Sequence, residues 1–299
     1  MTESTFTKKS GFARGMRVLA NATRSGVNRE LAGQGVRKTG EIVTHGEALA
    51  YAMASGDANP NYFDKAGAPV PPLYASKLLR DVLEWSILHK DLGANLLRLV
   101  HAEQSFTFHK PLTVGMELDA YARFAGVRDI STGELVDIDV GLEENGQPVV
   151  TGRGTMFIRG KKPSQGSKKS SKKADPPPLE TIATYSISPD QPRRYAAASG
   201  DYNLIHTTPW FAKLSGFKGC IAHGLCVMAR TTAELVNCYG GGDPTRLASI
   251  SLRFAKPAYP GQELTLKTRQ EGDTVQFALE NPKGKLVLSM GQATFKSAD

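Results

Sequence analysis

Only three cysteines occur in 299 residues, at positions 220, 226 and 238, and they form neither a CxxC pair nor part of a histidine-rich ligand pattern. That excludes a disulfide framework and a zinc site, and it predicts reduced, packed thiols in a cytoplasmic compartment. Long apolar runs are also missing. Nothing approaches the roughly 18 residues a membrane helix needs, so no membrane span is expected. Acids are scarce at the N-terminus, where none lies between Ser4 and Arg29 while Arg14, Arg17, Arg24 and Arg29 accumulate. No apolar signal-peptide core follows. This stretch reads as a basic helix lying on the fold, with organelle targeting as the alternative.

What is present begins with a formal charge of +8, which suggests a polyanionic partner until the charge is located. Residues 1–39 carry eight Lys or Arg against two acids, and residues 161–175 carry six Lys against one Asp. These segments hold +11 together, leaving −3 for the remainder. The basicity therefore belongs to a tail and a linker, and nucleic-acid binding by the fold is not expected. A length of 299 residues with 40% hydrophobic content accommodates two cores. Rich in Lys and Ser and closed by three prolines, residues 161–180 read as a solvated linker. The organisation is then a basic segment 1–39, a first domain 40–160, the linker, and a second domain 181–299.

Each half runs the same programme. Thr44 with Glu47, and Ser188 with Gln191, have capping-box spacing, and each starts a helix that ends at a Ser-Gly-Asp turn. Long apolar helices are expected over 73–88 and 224–236. Four alternating strands follow each, near 103–108, 117–124, 135–142 and 149–158, and over 248–254, 263–268, 274–279 and 286–295. The phrases FHKPLTVGMEL and FAKPAYPGQEL recur 146 residues apart and fix the register of the repeat. The predicted class is α+β, one long helix wrapped by an antiparallel sheet, made twice.

The two Ser-Gly-Asp turns differ where chemistry would reside. In the second half the run SGDYNLIH sets Asp201 and His206 five residues apart, an ionised carboxylate and a group titrating near neutrality, the usual pair for moving protons to and from water. In the first half SGDANPNY repeats the frame 144 residues earlier, with Tyr62 where His206 stands. Aligning His223, Gly224 and Leu225 with Pro71, Pro72 and Leu73 puts Gly224, whose amide opens a helix, against a proline that has no amide hydrogen. The first half is thus an altered copy, with Asp57 left as a structural turn residue.

The pattern Y-x-x-x-S-G-D-x-N-x-x-H, then H-G-L, then R-F-A-K-P with Y-P-G-Q, resembles the MaoC-like or hydratase 2 family of double hotdog proteins, over residues 40–160 and 180–296. The resemblance implies (R)-specific enoyl-CoA hydratase or 3-hydroxyacyl-thioester dehydratase activity on a CoA or acyl-carrier-protein thioester, with no metal or redox cofactor. It implies that Asp201 and His206 activate a water, that Gly224 holds the thioester oxygen, and that Asn203 and Ser199 brace the loop. It places His101, Ala102 and Phe254 beside the thioester, and it gives the first half an acyl-chain-shaping role. Leu204 departs from the family's usual Pro and puts turnover rate in doubt more than reaction type. His223 reads as a structural neighbour. Arg194, Lys213, Lys218, Lys256 and the linker lysines are all candidates for the phosphates. A non-catalytic acyl-thioester binding protein and a hotdog thioesterase stay open as alternatives, as does pairing of the pseudo-dimer into a homodimer.

Overall fold

In the computed structural model the described residues are 3–6, 26–62, 65–96, 99–160 and 178–297. The expected basic helix between residues 7 and 25 and most of the linker lie outside them. The chain folds around one sheet of eleven strands. In chain order these are β1 (Glu3–Thr5), β2 (Gly35–Ile42), β3 (Leu99–Phe108), β4 (Glu117–Ile130), β5 (Gly133–Glu144) and β6 (Gln147–Arg159). After the linker come β7 (Glu180–Ser186), β8 (Leu247–Phe254), β9 (Glu263–Glu271), β10 (Thr274–Glu280) and β11 (Leu286–Phe295). Alternation makes them strands: in β9, Leu264, Leu266 and Thr268 are buried and the residues between them face outward.

The spatial order is β1-β2-β4-β5-β6-β3-β8-β11-β10-β9-β7. Apart from β1, five strands of the first half are followed by the same five in reverse from the second, joined where β3 pairs antiparallel with β8. Ser105 pairs with Ser251 at this seam. They are equivalent positions of the 146-residue repeat, so the pseudo-twofold axis passes between them. The equivalent tyrosines Tyr51 and Tyr195 also meet, their hydroxyls 3.2 Å apart. The helical stretch 72–87 of the first half and the helix 224–239 of the second pack against the sheet and complete the double hotdog arrangement.

Three local expectations differ from the structure. β2 begins at Gly35, within the segment read as a basic tail, because Val36 is wholly buried and pairs with Ala122 of β4. The helix expected over 73–88 is broken. Pro72–Tyr74 forms a 3-10 turn, and two α-helices follow, α2 (Ala75–Leu78) and α3 (Arg80–Ile87). The capping boxes also resolve differently. In α1 (His45–Ser55) the Thr44 hydroxyl donates to the Glu47 carboxylate, while α4 (Gln191–Ser199) is capped at Asp190 and not at Ser188. Gln191 instead reaches the other half, its amide donating to the Ala54 carbonyl at 3.3 Å.

Two short helices, α5 (Leu204–Thr207) and α6 (Pro209–Leu214), precede α7 (Gly224–Tyr239), the long helix of the second half. Of the cysteines, Cys226 is buried in α7, but Cys220 is half-buried in the loop before it and Cys238 is exposed, so only one is packed. Among the described residues no helix is long and apolar enough to cross a membrane.

Candidate active site

The second-half loop is built by its own hydrogen bonds. Helix α4 ends at Gly200, whose φ of 77° is a left-handed cap that suits glycine. A β-carbon there would also stand 3.0 Å from Nε of Arg80, which comes from the first half. Beyond the cap, the Ser199 hydroxyl accepts the Asp201 amide at 3.2 Å and donates to the Tyr195 carbonyl at 2.7 Å. The Asp201 carboxylate accepts the Asn203 amide at 3.1 Å, and Asn203 caps α5 by accepting the Ile205 amide at 3.3 Å. Asp201 is half-buried, and His206 on α5 is buried.

His206 donates from Nδ1 to the Ile221 carbonyl at 2.9 Å. A carbonyl can only accept, so the neutral ring carries its proton on Nδ1 and leaves Nε2 as an acceptor. Burial lowers the His206 pKa below the ordinary 6.5, although the Asp201 charge and the Ile221 carbonyl pull the other way. His223 lies under this ring, stacked at a centroid distance of 3.7 Å and an angle of 26°. Its Nε2 donates to the Asp201 carbonyl at 3.0 Å, and its Nδ1 is buried without a partner among the described residues. Burial first, and then the His206 charge, hold His223 at a pKa of about 4. His223 therefore supports the His206 ring and the Asp201 backbone, a role the sequence signalled only as proximity.

One ligating atom from each of Asp201, His206 and His223 lies within 4.8 Å of the others. A single water spans such separations. His206 Nδ1 and His223 Nε2 are already donating, each to a backbone carbonyl. The cluster suits proton relay better than chelation.

Gly224 is the first residue of α7, so its amide has no intrahelical acceptor and sits at the positive end of the helix dipole. A β-carbon on Gly224 would come within 3.0 Å of the Phe254 ring, closer than ordinary van der Waals contact, so any side chain here displaces that ring. Phe254, at the end of β8, packs 5.0 Å from the His101 ring of β3. The β3–β6 register slips between His101 and Glu103, so Ala102 occupies a bulge, a device that re-aims side chains beside sites. Nε2 of His101 is buried without a partner among the described residues, and burial pushes the ring down to a pKa of about 4. The structure thus brings Asp201, His206 and Gly224 to one place, with Phe254 and the other half's His101 beside it. Of the expected phosphate cations, Arg194 is occupied by Asp190 at 2.9 Å.

The first-half counterpart is closed by its own residues. Asp57 is not without a partner: it accepts the Tyr62 hydroxyl at 2.6 Å and the Asn59 amide at 3.1 Å. Burial raises its pKa, against both of those hydrogen bonds. Asn59 and Asn61 donate to the Gly242 carbonyl at 2.8 and 2.9 Å, pinning this loop to the end of α7. Pro72 stands first in its 3-10 turn, as Gly224 stands first in α7.

Two family models match the chain: a MaoC like domain over residues 172–289, and the FAS1-like dehydratase domain region over residues 30–152. The chain is 31% identical over 207 residues to the peroxisomal enoyl-CoA hydratase 2 of Arabidopsis thaliana, covering 64% of this chain and 66% of that protein. It is 32% identical over 197 residues to 3-hydroxyacyl-thioester dehydratase Y of Mycobacterium tuberculosis, covering 62% of this chain and 67% of that one. The crystal structure of a MaoC-like dehydratase from Phytophthora capsici superposes with a TM-score of 0.77 at 26% identity, covering 91% of this chain and 98% of that one. The chain spans only 28% of the length of another relative, the peroxisomal multifunctional enzyme type 2 of mouse. With motif order, site geometry and these relatives in agreement, the chain belongs to the MaoC-like family of double hotdog hydratases and dehydratases.

Proposed function

We propose that the chain is a hydro-lyase that reversibly adds water to trans-2-enoyl thioesters, giving (R)-3-hydroxyacyl thioesters in fatty acid metabolism. The observation that carries this reading is the convergence of Asp201, His206 and His223 within 4.8 Å, directly before the Gly224 amide at the start of α7. In the hydration direction a water held between the Asp201 carboxylate and His206 Nε2 gives up a proton as its oxygen bonds to C3. The electrons of the double bond move onto the thioester oxygen, which the Gly224 amide stabilises. The proton is then delivered to C2, and hydroxyl and hydrogen together account for the water added. Nucleophile and protons all come from water, so the cycle is written without a cofactor.

Asn203 and Ser199 support the loop in this reading, and His101, Ala102 and Phe254 border the thioester. The first domain, from about residue 40 to 160, shapes the acyl-chain site, and the second, from 181 to 299, carries the chemistry. The substrate is a CoA or carrier-protein thioester, with neither nucleic acid nor membrane as a partner. An exposed Cys238 suits a reducing, cytoplasmic compartment.

Asp201→Asn and His206→Gln are each expected to lower kcat on crotonyl-CoA by at least about a hundredfold with unchanged circular dichroism. Near-native turnover in either variant refutes the assignment.

A further inference from the structure

The segment that carries the reacting pair continues into a surface of unusual character. Eleven large apolar side chains are exposed among the described residues, and four of them, Tyr202, Leu204, Trp210 and Leu214, fall within residues 202–214. Trp210 is 66% and Leu214 78% exposed, and they stand four residues apart on α6. Solitary exposed hydrophobics are ordinary, but a run of them marks an interaction site. The charge around them has one sign. Lys213 lies between Trp210 and Leu214, Lys218 follows, and no acid occurs between Asp201 and Glu234. Both lysines are exposed.

We infer that residues 202–218 form a docking surface for a small acidic helical carrier protein that presents its acyl-phosphopantetheine to the adjacent site. This rests on the hydratase reading and narrows its substrate class. Apolar side chains flanked by lysines complement an acidic helix bearing an apolar stripe, in charge and in kind. The surface also has the right place. Asp201 and His206 sit at the base of this segment, and the Ile221 carbonyl that fixes His206 lies at its far end. A pantetheine arm that enters beside α5 leaves its carrier resting on α6. The nucleotide of CoA needs one aromatic face and cations, whereas this segment also exposes two leucines and a tyrosine.

The test compares wild-type protein with the Trp210→Ser/Leu214→Ser double variant on crotonyl-CoA and on crotonyl-loaded acyl-carrier protein. Indole emission is titrated in parallel with unloaded holo-carrier protein, with Trp210→Phe as the control, because Trp85 is the only other tryptophan. The expected result is a salt-sensitive emission change that the control lacks. The double variant should lose at least about tenfold in kcat/KM on the carrier-bound substrate and stay within about twofold on crotonyl-CoA. Loss on both substrates alike overturns the inference in favour of the nucleotide. It also fails if emission responds to phosphatidylglycerol vesicles and not to carrier protein, or if the variant dissociates a wild-type dimer. No emission change with carrier protein up to about 1 mM, the weak limit of specific binding, likewise overturns it. Absence of hydration by wild type on either substrate sinks the hydratase reading alone, and the titration still decides the docking.

Discussion

In the proposed mechanism His206 draws its basicity from where its proton is held. With Nδ1 committed to the Ile221 carbonyl, only Nε2 can accept a proton from water, and burial keeps the ring neutral at physiological pH. A base must be unprotonated, and its pKa is shifted down from 6.5, so kcat/KM for hydration should stay level through neutrality. It should fall only at pH values below 6.5. A pH-rate profile checks this; an acid limb centred above 6.5 contradicts it. The Gly224 amide can be tested apart from its missing side chain. Gly224→Ala adds a β-carbon against Phe254 but keeps the N–H, whereas Gly224→Pro places a β-carbon in the same position within a larger ring, suits the first helical position and removes the donor. The alanine variant should cost about tenfold in kcat through displacement, and the proline variant about a hundredfold beyond it. Equal losses would remove Gly224 from the mechanism. That Asp201, His206 and Gly224 lie together was expected from the motifs that carry them, and the structure does bring them to one place. The part played by His223 was not legible, since stacking under His206 and holding the Asp201 carbonyl depend on how two distant loops meet.

At the scale of elements, the two halves show what duplication keeps and what it releases. Eight strands were legible, because period-two alternation and the repeat supported each other, although β3 starts earlier, at Leu99, and β4 runs on to Ile130. β1, β2 and β7 escaped notice: β2 and β7 show mixed burial without clear alternation, and they sit next to basic or proline-rich sequence. The broken helix was also hidden: apolar residues recur at helical spacing through 73–88 among Lys77, Arg80, Asp81 and Glu84, but Pro71 and Pro72 lead into a 3-10 turn, and two helices replace one. The vestigial loop survives as structure. Tyr62→Phe should cost about 1–3 kcal/mol of unfolding free energy, measured by urea denaturation, because it leaves the buried Asp57 carboxylate without its 2.6 Å donor. Restoring a histidine should not restore a site. Tyr62→His in an Asp201→Asn background is expected to stay inactive, as Pro72 offers no amide to the thioester oxygen. Any hydration above the Asp201→Asn background by that double variant would contradict this account of the first half.

For the whole molecule, the seam is where the halves depend on each other. β3 and β8 are edge strands unless paired together, Arg253 reaches Glu103 across them at 2.6 Å, and Arg230 of α7 donates to the Gly56 carbonyl while Arg80 lies against Gly200. These cross-half contacts were beyond the sequence, which showed two similar halves without showing that each supports the other's loop. Acid should loosen the assembly before it removes the carboxylate pairs. His101 and His223 are held near a pKa of about 4, against 6.5 for the free side chain, so between those values the unfolded chain binds more protons. Stability present at neutral pH is therefore lost as pH falls from 6.5 towards 4, and Tm measured over that range should decline, less steeply in His101→Gln. A flat Tm would contradict the neutral, buried assignment. The central claim meets its most direct test when the protein is mixed with crotonyl-CoA and decenoyl-CoA and the conjugated absorbance, the product's handedness and free thiol are followed together. Loss of absorbance with an (R)-3-hydroxyacyl product and no thiol is the predicted result; unchanged absorbance, an (S) product or released thiol would contradict it.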